Sequence, residues 1–495
     1  MNKNFGFSHK AGILMPVSAL PSKYGIGSFG KEAYKFVDFL SSSGQKCWQV
    51  LPLNPTSYGD SPYQSPASCA GNPYFIDPEI LFSEGLLTKE ELSEAKDEGE
   101  RVDYGKLFNT RYTLLRKAYS RFSKSSEYRR FVKKNEKWLE DYALFMSLKV
   151  KNCFASWISF CDEEKNAKAV RENREKYEEE CGFWRFVQFE FFSQWKSLKK
   201  YANKKGIMIL GDMPIYVAHD SVDVWSATEQ FLLDGELLPS SVAGCPPDSF
   251  CEDGQLWGNP LYNWEYMVND GFSWWKARIG AALDMYDILR IDHFRGFASY
   301  YSIPYGDENA KRGEWISAPG KELFKAIKET FPSAKIIAED LGFITDDVRE
   351  LLAYSGLPGM KVLQFAFSSD DSEYLPKNFT TENCVVYTGS HDSDCTRSRI
   401  KEMEGDVSER FRRECPHKKG RSRTYDAISL IMESISDLAI VPMQDYLELE
   451  NDEGRMNIPS VAEGNWQWRM KKSKLTPALV RKITSVCHGR IYKKK

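Results

Sequence analysis

Eight short apolar segments recur along this chain of 495 residues: 12–19, 47–53, 206–217, 286–294, 334–342, 360–367, 384–394 and 438–446. Most of them run directly into polar or charged residues at their C-terminal ends. Near-continuous apolar runs, such as AKIIA in 334–338 and CVVY in 384–387, suit parallel strands buried on both faces rather than strands with one wet face. Helical patterns lie between several of them, for example 31–44, ending at Gly44, and 320–331, followed by Pro332. This βαβα rhythm predicts an α/β fold, first a (β/α)8 TIM barrel and second an open doubly wound sheet. The absence of GxGxxG at the first βα turn disfavours the second arrangement.

A bare barrel uses roughly 250 residues, so nearly half the chain needs another place. Two connections are too long for plain crossovers. Residues 79–205 carry helix signals, with Thr88 and Glu91 as a capping box and a run over 183–206 that ends at Gly206. They read as a helical insertion between strands two and three. Within them, 13 of the 19 residues in 162–180 are charged with both signs mixed, the pattern of a solvated helix or surface loop. Residues 218–285 include AGCPPDSFCEDGQLWGNPLYNWE (243–265), whose Pro, Gly and Trp content opposes regular helix or strand and reads as an irregular lid after strand three. The expectation is one catalytic barrel over 1–495 carrying both insertions.

The 67 basic and 70 acidic residues give a formal net charge of −3, which supplies no field for nucleic acid or anionic lipid. No apolar run approaches the roughly 20 residues needed to cross a bilayer. The stretch AGILMPVSAL (11–20) follows two lysines like a secretion signal, but Pro16 interrupts it and no clear small-residue cleavage site follows; it reads as a buried strand. The 11 cysteines are scattered singly, without a CxxC pair, as expected of reduced thiols in a cytoplasmic protein.

If the barrel forms, the strand ends converge on one face, where barrel enzymes place their active sites. Asp212, Asp292, Glu339, Asp340, Asp392, Asp394 and Asp445 would gather there, accompanied by Arg290, His293, Arg295 and His391. Asp340 has the simpler reading of a cap or turn residue, Asp394 of a backbone-amide acceptor, and Asp445 of a partner for a nearby arginine. Asp292, Glu339 and Asp392 end three different strands, and that grouping favours chemistry. Carboxylates facing one another across a sugar-sized pocket can protonate a leaving oxygen, attack an anomeric carbon and stabilise an oxocarbenium-like charge. A metal site is the chemical rival, since His219, Asp220, Asp292, His293, His391, Asp392 and Asp394 are plausible ligands; HExxH spacing is absent, and no metal is expected.

At these residues the chain resembles the amylomaltase or disproportionating enzyme family of 4-α-glucanotransferases, glycoside hydrolase family 77. The motifs are LPLNPTSYGDSPYQSPASCAGNPYFID (51–77), GDMPIYVAHDSVDVW (211–225), PPDSFCEDGQLWGNPLYNWE (246–265), RIDHFRGF (290–297), AEDLG (338–342), HDSD (391–394) and NWQWR (465–469). The resemblance implies Asp292 as nucleophile, Glu339 as general acid/base and Asp392 as the transition-state carboxylate, with Arg290 and His391 beside it. It also implies Tyr58, Asp212 and Trp257 as glucan-binding residues, a retaining mechanism, a lid over 243–265 and no cofactor. The implied partners are malto-oligosaccharides and α-1,4-glucans, for a monomer or weak homodimer, with no nucleic acid and no membrane. Hydrolysis on the same barrel and silent glucan binding are the alternatives. The chain departs from the family pattern at Ser393 and Cys395, where Asn and Thr are more frequent, and at Ser460, where Gly commonly follows the proline. The three carboxylates are intact.

Overall fold

The computed structural model describes residues 8–57, 59–247, 252–342 and 344–491. Its strands, in chain order, are β1 (Lys10–Leu14), β2 (Cys47–Gln49), β3 (Met208–Met213), β4 (Ser241–Cys245), β5 (Gln255–Pro260), β6 (Ile288–Ile291), β7 (Ser299–Pro304), β8 (Glu314–Ser317), β9 (Ile336–Ala338), β10 (Gly359–Val362), β11 (Cys384–Tyr387) and β12 (Leu438–Pro442). Eight of them form one parallel sheet in the order β10-β11-β12-β1-β2-β3-β6-β9, and each falls on one of the eight apolar segments. The alternation of side chains explains why those segments are apolar throughout. Leu14, Leu210, Ile288, Ile337, Val362, Val385 and Ile440 fill the barrel interior. Their neighbours Ile13, Ile209, Leu289, Ile336, Val386 and Ala439 join the larger core beneath the helices.

Closure between β9 and β10 uses a side chain as well as the backbone. Ala338 N–H donates to the Pro358 carbonyl at 3.0 Å, and the Met360 amide donates to Asp340 Oδ1 at 2.6 Å. A Cβ at Gly359 would lie 2.5 Å from Asp340 Oδ2, so glycine permits this approach. Asp340 is therefore structural, but as an acceptor across the β9–β10 seam rather than the expected cap or turn residue.

The connection from β2 to β3 is helical. Its long helices Ser126–Lys151 and Glu178–Lys204 pack on one another. Phe183, Trp184, Phe191 and Trp195 are buried in the same core that lies beneath the barrel helices, and Trp195 Nε1 donates to the Met285 carbonyl at 3.0 Å. The capping box is present: Glu91 N–H donates to Thr88 Oγ1 at 3.3 Å and Thr88 N–H to Glu91 Oε2 at 2.9 Å. Most of 162–180 is exposed in short helices, in keeping with its mixed charges.

The irregular character expected of 218–285 is corrected. Strands β4 and β5 lie within it and, with β7 and β8, form a four-stranded antiparallel sheet ordered β5-β4-β7-β8. The glycines that suggested irregularity have positions inside this ribbon. Gly254 turns the chain at φ +68, and a Cβ on Gly244 would meet the Gln255 carbonyl at 2.1 Å, where the register shifts between Val242 and Gly244. Part of the expected lid, 248–251, lies outside the described residues.

Candidate active site

Arg290 projects from β6, is 3% exposed and ties two neighbouring carboxylates together. Its Nη1 donates to both Asp212 oxygens, at 2.7 and 2.8 Å, and its Nη2 lies 2.9 Å from Asp292 Oδ1. A charge buried this deeply is costly without such partners. Asp212 stands in β3 and Asp292 just beyond β6, so the register of two paired strands sets their separation.

Glu339 follows β9 and points at the same place. Its Oε2 accepts the His293 amide at 2.7 Å and its Oε1 accepts the Leu341 amide at 2.9 Å. His293 takes a left-handed conformation, φ 49, at the turn where its N–H meets the Glu339 carboxyl. Burial pushes the Glu339 carboxyl up to about 8; Arg290 opposes that rise, Asp292 adds to it, and the two amides oppose it. The carboxyl therefore keeps its proton at neutral pH beside an arginine-paired Asp292. A protonated acid next to a carboxylate is the pairing that acid-assisted displacement at a sugar carbon requires.

His391 and Asp392 follow β11. Asp392 Oδ2 lies 3.1 Å from His391 Nε2, and its Oδ1 accepts from Asn457 Nδ2 at 2.6 Å. Burial favours the neutral acid, but His391, Asn457 and Arg290 outweigh it and draw the Asp392 carboxyl down to about 2. Trp257 on β5 sets its ring edge-on to His293, with centroids 4.8 Å apart, and its Nε1 donates to Gln255 Oε1 at 3.0 Å. Of the residues named from sequence, Asp212, Arg290, Asp292, Glu339, His391, Asp392 and Trp257 thus belong to one contact network, linked through His293 and Tyr63. Tyr58 lies outside the described residues.

The remaining acids are held elsewhere. Asp394 pairs with Arg455 and accepts from Asn451 Nδ2 at 2.8 Å, so its partners are side chains rather than the expected backbone amides. Asp445 has no arginine partner in these contacts: it accepts from Thr388 Oγ1 at 2.6 Å and from Thr396 N and Oγ1 at 2.8 and 2.7 Å. Three hydroxyl and amide donors replace the expected cation. His219 and Asp220 belong to another contact, with the Leu237 carbonyl and with Lys149 and the Trp157 amide. Among the described residues no group of three or more His, Cys, Asp or Glu side chains is arranged around a common metal position.

Two residues that sequence reasoning did not single out complete the network. Tyr63, in the Pro- and Ser-rich loop after β2, donates from its hydroxyl to Asp212 Oδ2 at 2.9 Å and stacks on His391 at 5.0 Å and 14°. Asn457 comes from the segment after β12. The available signal was the place of Tyr63 inside the first matching motif, within GDSPYQS, and of Asn457 three residues before the departure at Ser460, both in loops rather than elements. Ser460 is the third residue of the turn closed by Val461 N–H on the Ile458 carbonyl at 3.2 Å, and its φ of +65 is the region that favours glycine. Ser393 Oγ accepts the Ser390 amide at 2.9 Å, which steadies the turn carrying His391 and Asp392.

The family model described as 4-alpha-glucanotransferase matches residues 15–476. A 4-alpha-glucanotransferase of Clostridium butyricum is 48% identical over 479 residues, covering 95% of this chain and 98% of that one. One from Streptococcus pneumoniae is 44% identical, covering 95% of each. The solved amylomaltase of Streptococcus agalactiae in complex with acarbose superposes with a TM-score of 0.93 at 40% identity, covering 98% of this chain and 99% of that chain. A family match over nearly the whole length, on a barrel that brings the matching motifs to one mouth, means that this chain belongs to the 4-alpha-glucanotransferase family.

Proposed function

We propose that this 4-alpha-glucanotransferase works by a retaining double displacement in which Asp292 is the nucleophile and Glu339 the acid/base. Asp292 attacks the anomeric carbon of an α-1,4-glucan while Glu339 gives its proton to the departing 4-oxygen. The glycosidic bond breaks, a β-linked glucosyl ester forms on Asp292, and the shortened glucan leaves. Glu339, now a carboxylate, takes the proton from an acceptor 4-hydroxyl, whose oxygen displaces the ester and restores the α linkage. Arg290 holds Asp292 in place through its Nη2, and Asp392 faces the positive charge that grows on the sugar ring. The carrying observation is the placement of Glu339, whose carboxyl burial pushes up to about 8, beside an arginine-held Asp292 at neighbouring strand ends.

Asp212, Arg290 and His391 are the proposed polar contacts to glucan, Trp257 offers a flat face for a sugar ring, and Tyr58 joins them by its motif. The ribbon carrying Trp257 serves as the cover that keeps water from the ester. Each tenfold preference for a sugar acceptor over water needs about 1.4 kcal/mol in relative barrier. The substrates are malto-oligosaccharides and longer α-1,4-glucans, used without a cofactor by a monomeric or weakly dimeric cytoplasmic enzyme. Among the described residues no helix is long and apolar enough to cross a membrane.

Incubation with maltotriose tests this reading. Glucose together with oligosaccharides longer than maltotriose supports transfer, glucose and maltose alone indicate hydrolysis, and unchanged maltotriose indicates binding without chemistry. Asp292→Ala is expected to lose at least about four orders of magnitude in turnover while unfolding at the native temperature. Near-native transfer in that variant contradicts the nucleophile assignment.

A further inference from the structure

Trp257 stands where the ribbon loses its regular pairing. Val242 pairs with Pro260 and Gly244 with Leu256, so Trp257, Gly258 and Asn259 on β5 stand opposite Ala243 alone, and Gly258 turns at φ +76. Extra residues in one strand leave backbone groups outside the ladder and re-aim the side chains they carry. The Trp257 ring is aimed at the site, meeting His293 at 4.8 Å and Tyr216 at 6.2 Å.

The bulge is held from a different loop. Gln64, after β2, forms a reciprocal amide pair with Asn259: Gln64 Nε2 donates to Asn259 Oδ1 at 3.1 Å, and Asn259 Nδ2 donates to Gln64 Oε1 at 3.2 Å. Gln64 Nε2 also donates to the Trp257 carbonyl at 3.4 Å, and Asn259 Nδ2 to the Val217 carbonyl at 2.8 Å. Backbone carbonyls only accept, so they fix which end of each amide is nitrogen. Reversing either side chain would set oxygen against oxygen. The pair joins two parts of the site, because Tyr63, the residue before Gln64, donates to Asp212 Oδ2 at 2.9 Å and stacks on His391.

We infer that Gln64 is a positioning residue that clasps the Trp257 bulge to the Tyr63 loop, and so decides how the glucosyl ester is shared between a sugar and water. The inference rests on the retaining mechanism proposed above, with the ribbon as the cover of the ester. In hydrolysis a water oxygen takes the anomeric carbon from Asp292 and gives its proton to Glu339, as the acceptor 4-hydroxyl does in transfer, so both outcomes draw on one ester. With the clasp closed, the Trp257 ring keeps its place for an acceptor sugar. Without it, the Trp257 carbonyl loses its donor, Asn259 keeps only its Val217 anchor, and water, which needs no platform, gains on the sugar.

Maltotriose reports that division directly. Transfer conserves the number of reducing ends and each hydrolysis adds one, so the gain in reducing ends per maltotriose consumed measures the share taken by water. Gln64→Met keeps the length of the side chain and removes the clasp; the gain is expected to rise about tenfold over the native enzyme, equivalent to about 1.4 kcal/mol in relative barrier. Gln64→Glu presents a carboxylate that accepts from Asn259 but cannot donate to Asn259 Oδ1 or to the Trp257 carbonyl, and it is expected to follow Gln64→Met. A residue that only supports the fold would lower transfer and hydrolysis together and leave the ratio as it was. An unchanged ratio in either folded variant therefore overturns the role of Gln64, and so does a failure of both variants to fold. A native enzyme that adds one reducing end for every maltotriose consumed carries out no transfer, which is a failure of the mechanism and not of the clasp.

Discussion

On the β6 and β9 side of the barrel mouth, Glu339 is pushed up to about 8; on the β11 side, Asp392 is drawn down to about 2. Burial acts upward on both. What differs is the partners. Glu339 receives two backbone amides, and its burial with the nearby Asp292 prevails over them and over Arg290, whereas Asp392 receives a histidine and the side-chain amide of Asn457. The two histidines of the site divide in the same way. His293, with Nε2 lacking a hydrogen-bond partner among the described residues, is pushed by burial down to about 4, while His391, against the burial that acts on it too, is shifted upward by Asp392 3.1 Å from its Nε2. One side of the pocket holds a proton that can leave, and the other holds fixed charge. A double displacement needs both: an acid that can become a base, and a constant negative field for the sugar cation.

The largest way to break this contrast is to remove its mobile proton. Glu339→Gln is expected to lower kcat/KM with maltotriose by about 10²- to 10⁴-fold. In the native enzyme kcat/KM should fall as pH rises through about 8, where Glu339 loses its proton before the first displacement, and that limb should vanish in the variant. Stability carries the same signature. A carboxyl whose folded pKa lies above its unfolded value binds extra protons when folded, so the stability it contributes at low pH is lost as pH rises from about 4 to about 8. Denaturant midpoints across that window should decline less in Glu339→Gln than in the native protein.

Asp392→Asn attacks the fixed-charge side and should lower kcat by about 10²- to 10³-fold while leaving the high-pH limb set by Glu339 in place. Loss of that limb would show that the two sides are not independent. Asn457→Ala removes one donor to Asp392 and is expected to cost about tenfold in kcat, with the low-pH limb moving upward as Asp392 becomes easier to protonate. The smallest change is Ser460→Gly. It relaxes a left-handed serine in the turn three residues beyond Asn457 and should raise stability by about 1 kcal/mol, read from thermal unfolding, with little change in kcat.

The same contrast marks what could be read from the sequence. All eight barrel strands were legible because burial on both faces leaves an unbroken apolar run, and the acids at their ends were legible because they interrupt it. The four-stranded sheet was not, since β4 and β5 come from one connection and β7 and β8 from the next, and its glycines sit at a turn and a bulge that look like loop. Asp445 was assigned the wrong kind of partner because its threonines lie 57 and 49 residues away in sequence. Tyr63 and Asn457 escaped for the same reason: a polar loop residue acquires its role from what it touches. Asp292, Glu339 and Asp392 carried their signal locally, at strand ends, while the residues that set their charge did not.

The central claim, that Asp292 forms the ester and Glu339 supplies the proton, meets its most direct test in Glu339→Gln treated with α-maltosyl fluoride. Fluoride leaves without acid help, whereas the second step lacks its base, so the ester should accumulate. Mass spectrometry of the digested protein is expected to find one maltosyl unit on the peptide that contains Asp292. A maltosyl unit on a different residue, or consumption of the fluoride with no labelled peptide, would contradict the account.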